Sequence, residues 1–241
     1  MLKKTPLILL SLLLLSSSAF ADRNSRKYRD CSEKYTPKIL EGNSMAFKRH
    51  IIECQGKPDS DVMYTYSNNS YKDFDSRTLV CMGDIYNSRS KNASFSSYKL
   101  AAEMGNTSAM VSLGIMAQDK EYAKKMPISK EHKQEYLTLT KTDKDFNFLR
   151  IMNKSKSLKT KEEKIAFQKE NTPLMREYAN LCKKVVKIDL NKTNLTIQEM
   201  TKQMRTTDNR DIQAWIYTEG RFLNAKKDRL TSVLRKFGRF K

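Results

Sequence analysis

Residues 98–114, YKLAAEMGNTSAMVSLG, decide the fold class of this chain. Small and apolar residues recur every three or four positions on both sides of Gly105-Asn106, a pair that commonly ends a helix. The stretch therefore predicts two antiparallel helices joined by a tight turn, with small side chains that allow close approach. The residues predicted to pack this hairpin are Tyr98, Ala101, Ala102, Gly105, Ala109, Leu113 and Gly114.

Composition extends this interpretation to the whole chain. Only seven glycines and five prolines occur among 241 residues, which argues against a sandwich or barrel built from many tight turns. The abundant Lys, Glu, Met, Leu and Ala favour helices. The sequence predicts an all-α protein of antiparallel helical hairpins, in which a short solenoid-like segment precedes a helical C-terminal half.

A second motif repeats the first. Met82-Gly83-Asp84-Ile85 and Leu113-Gly114-Ile115-Met116 echo each other 31 residues apart, a period typical of helical solenoid units. Together with the hairpin, this pattern resembles the Sel-one-like repeat family, a relative of the tetratricopeptide repeats. The resemblance covers one to two units at about residues 79–117. It implies an adaptor module of an exported bacterial protein, because such repeats generally bind other proteins.

The first 21 residues predict the cellular route. Lys3 and Lys4 precede the apolar run 7–15, and Ala19-Phe20-Ala21 follows, which is the layout of a secretory signal peptide. The run is shorter than the roughly 20 residues that span a bilayer. We expect an exported mature chain that begins at Asp22, in a bacterial periplasm or secreted beyond it. We expect a helical N-terminal region over 22–117 and a basic helical region over 118–241.

Four cysteines suit an oxidising compartment and allow three pairings. Residues 26–40 and 44–54 predict two helices separated by Gly42-Asn43, with Ser44 as an N-cap. Cys31 lies about as far before that turn as Cys54 lies after it, so the two should face each other in a hairpin. We therefore expect Cys31–Cys54 and, by elimination, Cys81–Cys182.

Polar stretches, prolines and a capping motif predict where helices end and begin. The polar stretch 56–75 is expected to be a loop or linker, and 191–196 a turn. Pro127 and Pro173 are expected to interrupt the helices around them. Thr160-Lys161-Glu162-Glu163 predicts a capping box that opens a helix.

No residue pattern in the sequence predicts a catalytic or metal-binding site. The two histidines, His50 and His132, lie among basic neighbours, and both are expected on the surface. Neither a nucleophile motif nor a phosphate loop is present, and no clustered set of metal ligands occurs. We therefore expect no catalytic residues, no metal, no cofactor and no enzymatic activity. A secreted enzyme of an unfamiliar family is kept as an alternative.

The charge predicts the kind of partner. The net charge is +19, and loss of the leader would remove only Lys3 and Lys4 from it. Such an excess favours an acidic partner or an anionic membrane, while export argues against nucleic acid. The C-terminal helix ends in a cationic and aromatic segment that is the candidate anionic-surface site. That segment comprises Arg235, Lys236, Phe237, Arg239, Phe240 and Lys241.

The expected function is recognition of another protein by an exported, disulfide-bonded helical module. Its most concrete form is an immunity protein that neutralises a periplasmic antibacterial toxin, because complementary charge speeds association. The alternative is a protein that binds membrane or lipopolysaccharide through the basic C-terminal helix.

Overall fold

The computed structural model describes residues 26–119, 123, 128–143 and 145–239. The predicted signal peptide, Phe240 and Lys241 lie outside these residues. The described chain is all-α, with ten α-helices, one short 3-10 turn and no strand among the described residues. The helices are α1 Arg26–Leu40, α2 Ser44–Glu53, α3 Ser60–Asn69, α4 Ser76–Asn87, α5 Lys91–Glu103, α6 Thr107–Ala117, α7 Lys130–Thr142, α8 Phe148–Ser157, α9 Lys161–Thr206 and α10 Arg210–Phe237.

The described residues form two compact units. One comprises 26–70 with Gln198–Phe222, and the other comprises the described residues of 71–197 with 223–239. Helix α7 packs on α6 within the second unit. Both long helices, α9 and α10, contribute residues to both units.

The first unit is built on the predicted hairpin of α1 and α2. Gly42 adopts φ +92°, and a Cβ there would lie 2.6 Å from the Asn69 carbonyl carbon, so the turn requires glycine. The cap of α2 is Asn43 rather than Ser44, because the Asn43 side chain accepts a hydrogen bond from the Ala46 N–H at 2.9 Å. Cys31 and Cys54 form the disulfide expected from this geometry.

The predicted loop over 56–75 is largely helical. Helix α3 packs on α1, and its Tyr66 is fully buried and stacked on Phe47 with ring centroids 4.5 Å apart. The Tyr66 hydroxyl donates to the Glu219 carboxylate at 2.7 Å. The polar composition of the segment predicts a loop and gives no sign of a buried ring. Burial of the Tyr66 ring explains why the segment is a helix.

In the second unit, α4 to α7 pack as successive hairpins, α8 packs on α6, and α9 and the end of α10 complete the core. Cys81 and Cys182 form the second predicted disulfide. The predicted breaks at Pro173 and 191–196 are wrong, because α9 is one helix of 46 residues. The stretch 191–196 holds neither glycine nor proline, and Thr193 and Thr196 donate to carbonyls four residues back, so helical backbone continues.

Candidate functional site

The residues predicted to pack the repeat lie at close helix contacts. Tyr98, Ala101, Ala102, Ala109 and Leu113 are all buried. Gly105 adopts φ +83° in the turn between α5 and α6, as the sequence predicts. At Gly114, a Cβ would lie 2.3 Å from the Tyr136 carbonyl oxygen, so α7 approaches α6 too closely for any side chain there.

A second glycine lies at a close helix contact one hairpin earlier. A Cβ at Gly83 of α4 would lie 2.5 Å from the Tyr98 ring of α5. At Gly83 the close neighbour is an aromatic ring, whereas at Gly114 it is helix backbone, so each glycine allows the next helix to approach in a different way.

Three N-caps bind the hairpins together at one edge. Asp75, Asn106 and Asn147 cap α4, α6 and α8 through their side chains. The Asn106 amide also donates to the Ser76 hydroxyl at 3.1 Å, and the Asn147 amide donates to the Ser112 hydroxyl at 3.0 Å. The N-terminal ends of the three helices are thus fixed relative to one another.

Helix α9 is attached along this edge. Tyr178 donates a hydrogen bond to Asp84, Cys182 is bonded to Cys81, and the Asp189 carboxylate accepts from the Asp75 N–H at 3.0 Å. These partners occur in opposite order along α4 and α9. The two helices therefore run in opposite directions where they meet.

The Asp84 carboxyl lies at the centre of this attachment and is buried. One oxygen accepts from the Tyr98 hydroxyl at 2.6 Å, and the other accepts from Tyr178. Burial raises the pKa of Asp84 to about 7, although the two hydrogen bonds act in the opposite direction. Burial and the nearby Asp84 charge raise the pKa of both tyrosines well above the ordinary value. Because the carboxyl is buried and each oxygen accepts a hydrogen bond from a tyrosine, this group links α4, α5 and α9.

A cavity of about 460 Å³ opens beside this attachment. Its apolar wall includes Val80, Phe146, Leu174 and Leu181, and the Cys81 side of the disulfide borders it. Asp145 and Glu177 add negative charge at the rim, and Arg77 there is paired with Asp75. The full lining is Arg77, Val80, Cys81, Asn106, Ser108, Asp145, Phe146, Leu174, Glu177, Tyr178 and Leu181.

A row of large aliphatic side chains continues from this cavity along α9. Leu174, Leu181, Ile188 and Leu195 are spaced seven residues apart and are 47%, 41%, 47% and 59% exposed. We call these four residues the α9 row. Isolated exposed leucines are ordinary on protein surfaces, but an aligned set that adjoins an apolar cavity is typical of interaction sites. The sequence shows the seven-residue spacing of these residues. The turn expected at 191–196, however, would have ended the row before Leu195.

The predicted anionic-surface segment is divided by the structure. Arg235 and Arg239 are exposed and Lys236 is half-buried, whereas Phe237 is buried against Phe148 and Tyr178. Phe237 is part of the core, so its side chain is not exposed for contact with a membrane. The nearby positive charge of Arg89, with a smaller effect from Arg239, lowers the pKa of Lys236.

The two histidines differ. His132 is exposed, as expected, and stacks on Tyr136. The expectation that His50 lies on the surface is wrong, because it is fully buried, with Nδ1 3.1 Å from the Gly56 carbonyl oxygen and Nε2 3.0 Å from the Ser32 hydroxyl. Both ring nitrogens have partners, which is the usual condition for a histidine in a core.

Among the described residues, no group of three or more His, Cys, Asp or Glu side chains is arranged to hold a metal ion. None of the helices in the described part of the chain is long and apolar enough to cross a membrane. No family model, curated protein or solved structure matches the chain.

Proposed function

We propose that the protein is an exported interaction module that binds another protein through the cavity and the adjoining α9 row. The observation that carries this proposal is an open apolar cavity of about 460 Å³ bordered by the exposed side chains of Leu174 and Leu181. Its volume lies within the range of about 300–1,000 Å³ that is usual for binding pockets. An apolar side chain of a partner is the natural occupant of such a wall.

The attachment of α9 makes this surface rigid before a partner arrives. The Cys81–Cys182 disulfide and the Tyr178–Asp84 hydrogen bond fix the helix that carries half of the wall. A preformed surface loses less conformational freedom on binding, so more of the contact energy appears as affinity. Rigidity of this kind supports a recognition role.

Two further features support neutralisation of a periplasmic toxin as the specific form of this function. The chain carries a net charge of +19, which favours fast association with an acidic protein. The sequence of residues 79–117 also resembles Sel-one-like adaptor repeats, which supports a role in binding other proteins. An immunity protein should block the lethality of its captured partner when both are exported together.

The test is capture of partners by the mature chain, residues 22–241, produced with both disulfides intact. We expect one stoichiometric protein partner that survives moderate salt and is lost when Leu174→Glu places a charge at the cavity wall. Ile165→Glu is the matched control, because Ile165 is exposed on the same helix but does not line the cavity. Capture by Leu174→Glu at the wild-type level would contradict the proposal.

A second candidate function is binding to an anionic surface, favoured by the concentration of cations around Lys236. Arg89 and Arg239 are close enough to depress the pKa of Lys236. Sedimentation with vesicles of anionic phospholipid, compared with neutral vesicles, tests it. Binding that disappears in Arg89→Gln/Lys236→Gln and as salt rises would support this function. Equal sedimentation with neutral vesicles would contradict it.

A further inference from the structure

The α9 row has a geometry that narrows the class of partner. Its four residues extend from Leu174 to Leu195, which is about 32 Å at 1.5 Å per residue. Seven residues fall just short of two full helical turns, so the row drifts by only about 20° at each step. The exposed apolar surface is therefore a narrow, slightly twisted line along one helix.

A second helix matches such a line better than an extended strand or a loop. Helices that pack at a shallow angle present apolar residues in a seven-residue repeat and supercoil to follow the drift. The cavity at the Leu174 end adds a depression that can receive one larger side chain. An extended peptide places side chains on alternate faces and would leave half of them away from the row.

Charge beside the row indicates the character of that helix. Lys184 and Lys187 are exposed on the solvent side of Leu181 and Ile188, in the middle of the row. Lys192 is also exposed but is paired with Asp189 at 3.6 Å. The exposed acids lie at the two ends, with Glu170 and Glu177 near Leu174 and Glu199 one turn beyond Leu195. Acidic residues beside the apolar stripe of a partner would pair with Lys184 and Lys187 at the middle of the row.

A second copy of this chain fits the row less well. The midpoint of the row lies between Lys184 and Val185, so a symmetric antiparallel pair would place Lys184 beside its own copy. Like charges at that position are unfavourable. Each mature copy, without Lys3 and Lys4, would also bring a net charge of +17.

We infer that the α9 row binds an amphipathic helix of a partner protein whose apolar stripe is flanked by acidic residues where it passes Lys184 and Lys187. This inference rests on the proposed function, because it names the class of partner for the same surface. The partner helix lies along Leu174, Leu181, Ile188 and Leu195 and inserts one side chain into the cavity.

The probe is a synthetic helical peptide of about four heptads, with leucine at the apolar positions and glutamate at the flanking positions. Two matched peptides carry lysine in place of glutamate, or serine in place of leucine. Fluorescence anisotropy is measured with the mature, disulfide-bonded chain. We expect binding of the glutamate-flanked peptide, and affinities for the other two that are lower by about tenfold or more.

Variants of the protein test the same contact from the other side. Leu181→Gln/Ile188→Gln should weaken binding of the glutamate-flanked peptide by about tenfold or more. Ile165→Gln should not, because Ile165 lies about half a turn around the helix from Leu174. Lys184→Glu/Lys187→Glu should weaken that peptide and remove most of the salt dependence. Circular dichroism confirms that each variant is folded.

Three results would overturn the inference. One is equal binding of the three peptides, and another is an unchanged affinity of Leu181→Gln/Ile188→Gln. The third is a wild-type dimer in analytical ultracentrifugation that this double variant dissolves. If the mature chain captures a partner whose binding requires Leu174 but not Leu181 or Ile188, the proposed function stands and this inference fails. If it captures no protein partner, the proposed function itself fails.

Discussion

The Asp84 carboxyl makes the stability of the second unit depend on pH, and Asp84→Asn should remove that dependence. The group is buried with both oxygens bound by tyrosine hydroxyls, and its pKa is raised to about 7 in the folded chain. In the unfolded chain its pKa is near the ordinary value of 3.8. Asparagine has nearly the same shape and stays neutral, so it removes the titration. Its amide nitrogen donates where a carboxylate oxygen accepts, so one tyrosine hydroxyl must become the acceptor, and this change does not depend on pH.

The sign follows from which state holds the proton. Because the folded state keeps the proton to a higher pH, the stabilisation is complete below about pH 4 and is lost as the pH rises through about 7. The shift from 3.8 to about 7 corresponds to about 4 kcal/mol at about 1.4 kcal/mol per pKa unit. The free energy of unfolding of Asp84→Asn should therefore gain about 4 kcal/mol on that of the wild type between pH 3.5 and pH 8.

Urea denaturation of the disulfide-bonded protein, followed by circular dichroism across this pH range, measures the difference. Asp228→Asn is the control, because Asp228 is an exposed acid on α10. For the control, we expect a difference from the wild type that stays nearly constant with pH. A constant difference for Asp84→Asn as well would refute the reasoning, because it would mean that folding does not shift the Asp84 pKa.

Four further predictions concern packing and covalent links. Gly83→Ala should destabilise the protein by about 1–3 kcal/mol, because its Cβ would lie 2.5 Å from an aromatic ring. Gly220→Ala, whose Cβ meets no described atom within 4 Å, should instead stabilise α10 by up to about 1 kcal/mol in thermal melts. Replacing the Cys81–Cys182 pair by serine should cost about 4–5 kcal/mol in denaturant unfolding, because the link closes 101 residues. The shorter Cys31–Cys54 link, over 23 residues, should cost about 3–4 kcal/mol, and the reverse order would contradict the loop-length argument.

Local signals were enough to predict the hairpins and their disulfides. Gly42 and Gly105 both adopt positive φ at the turns where the sequence places them. Once the first turn was fixed, Cys31 and Cys54 had to face each other, and the second pair followed by elimination. These features depend on residues close together in the chain, which is why sequence spacing predicts them.

Features that depend on distant partners were missed. The helix over Ser60–Asn69 is secured by Tyr66 against Phe47, and a polar composition gives no sign of that contact. The sequence shows Asp84 only as part of a repeated motif, because its burial requires Tyr178, 94 residues later. The basic neighbours of His50 predict a surface position for the same reason, since its partners Ser32 and Gly56 come from beyond its own helix.

The attachment of α9 and the display of its apolar row are consequences of one helical geometry. Tyr178, Cys182 and Asp189 follow one another at four- and seven-residue spacing, and all three bind α4 or its cap. Leu181 and Ile188 each precede one of these residues by a single position, about 100° around the helix. Because the disulfide prevents α9 from rotating, it also fixes the direction in which the row points. The covalent link that stabilises the second unit therefore determines the orientation of the surface proposed to bind a partner.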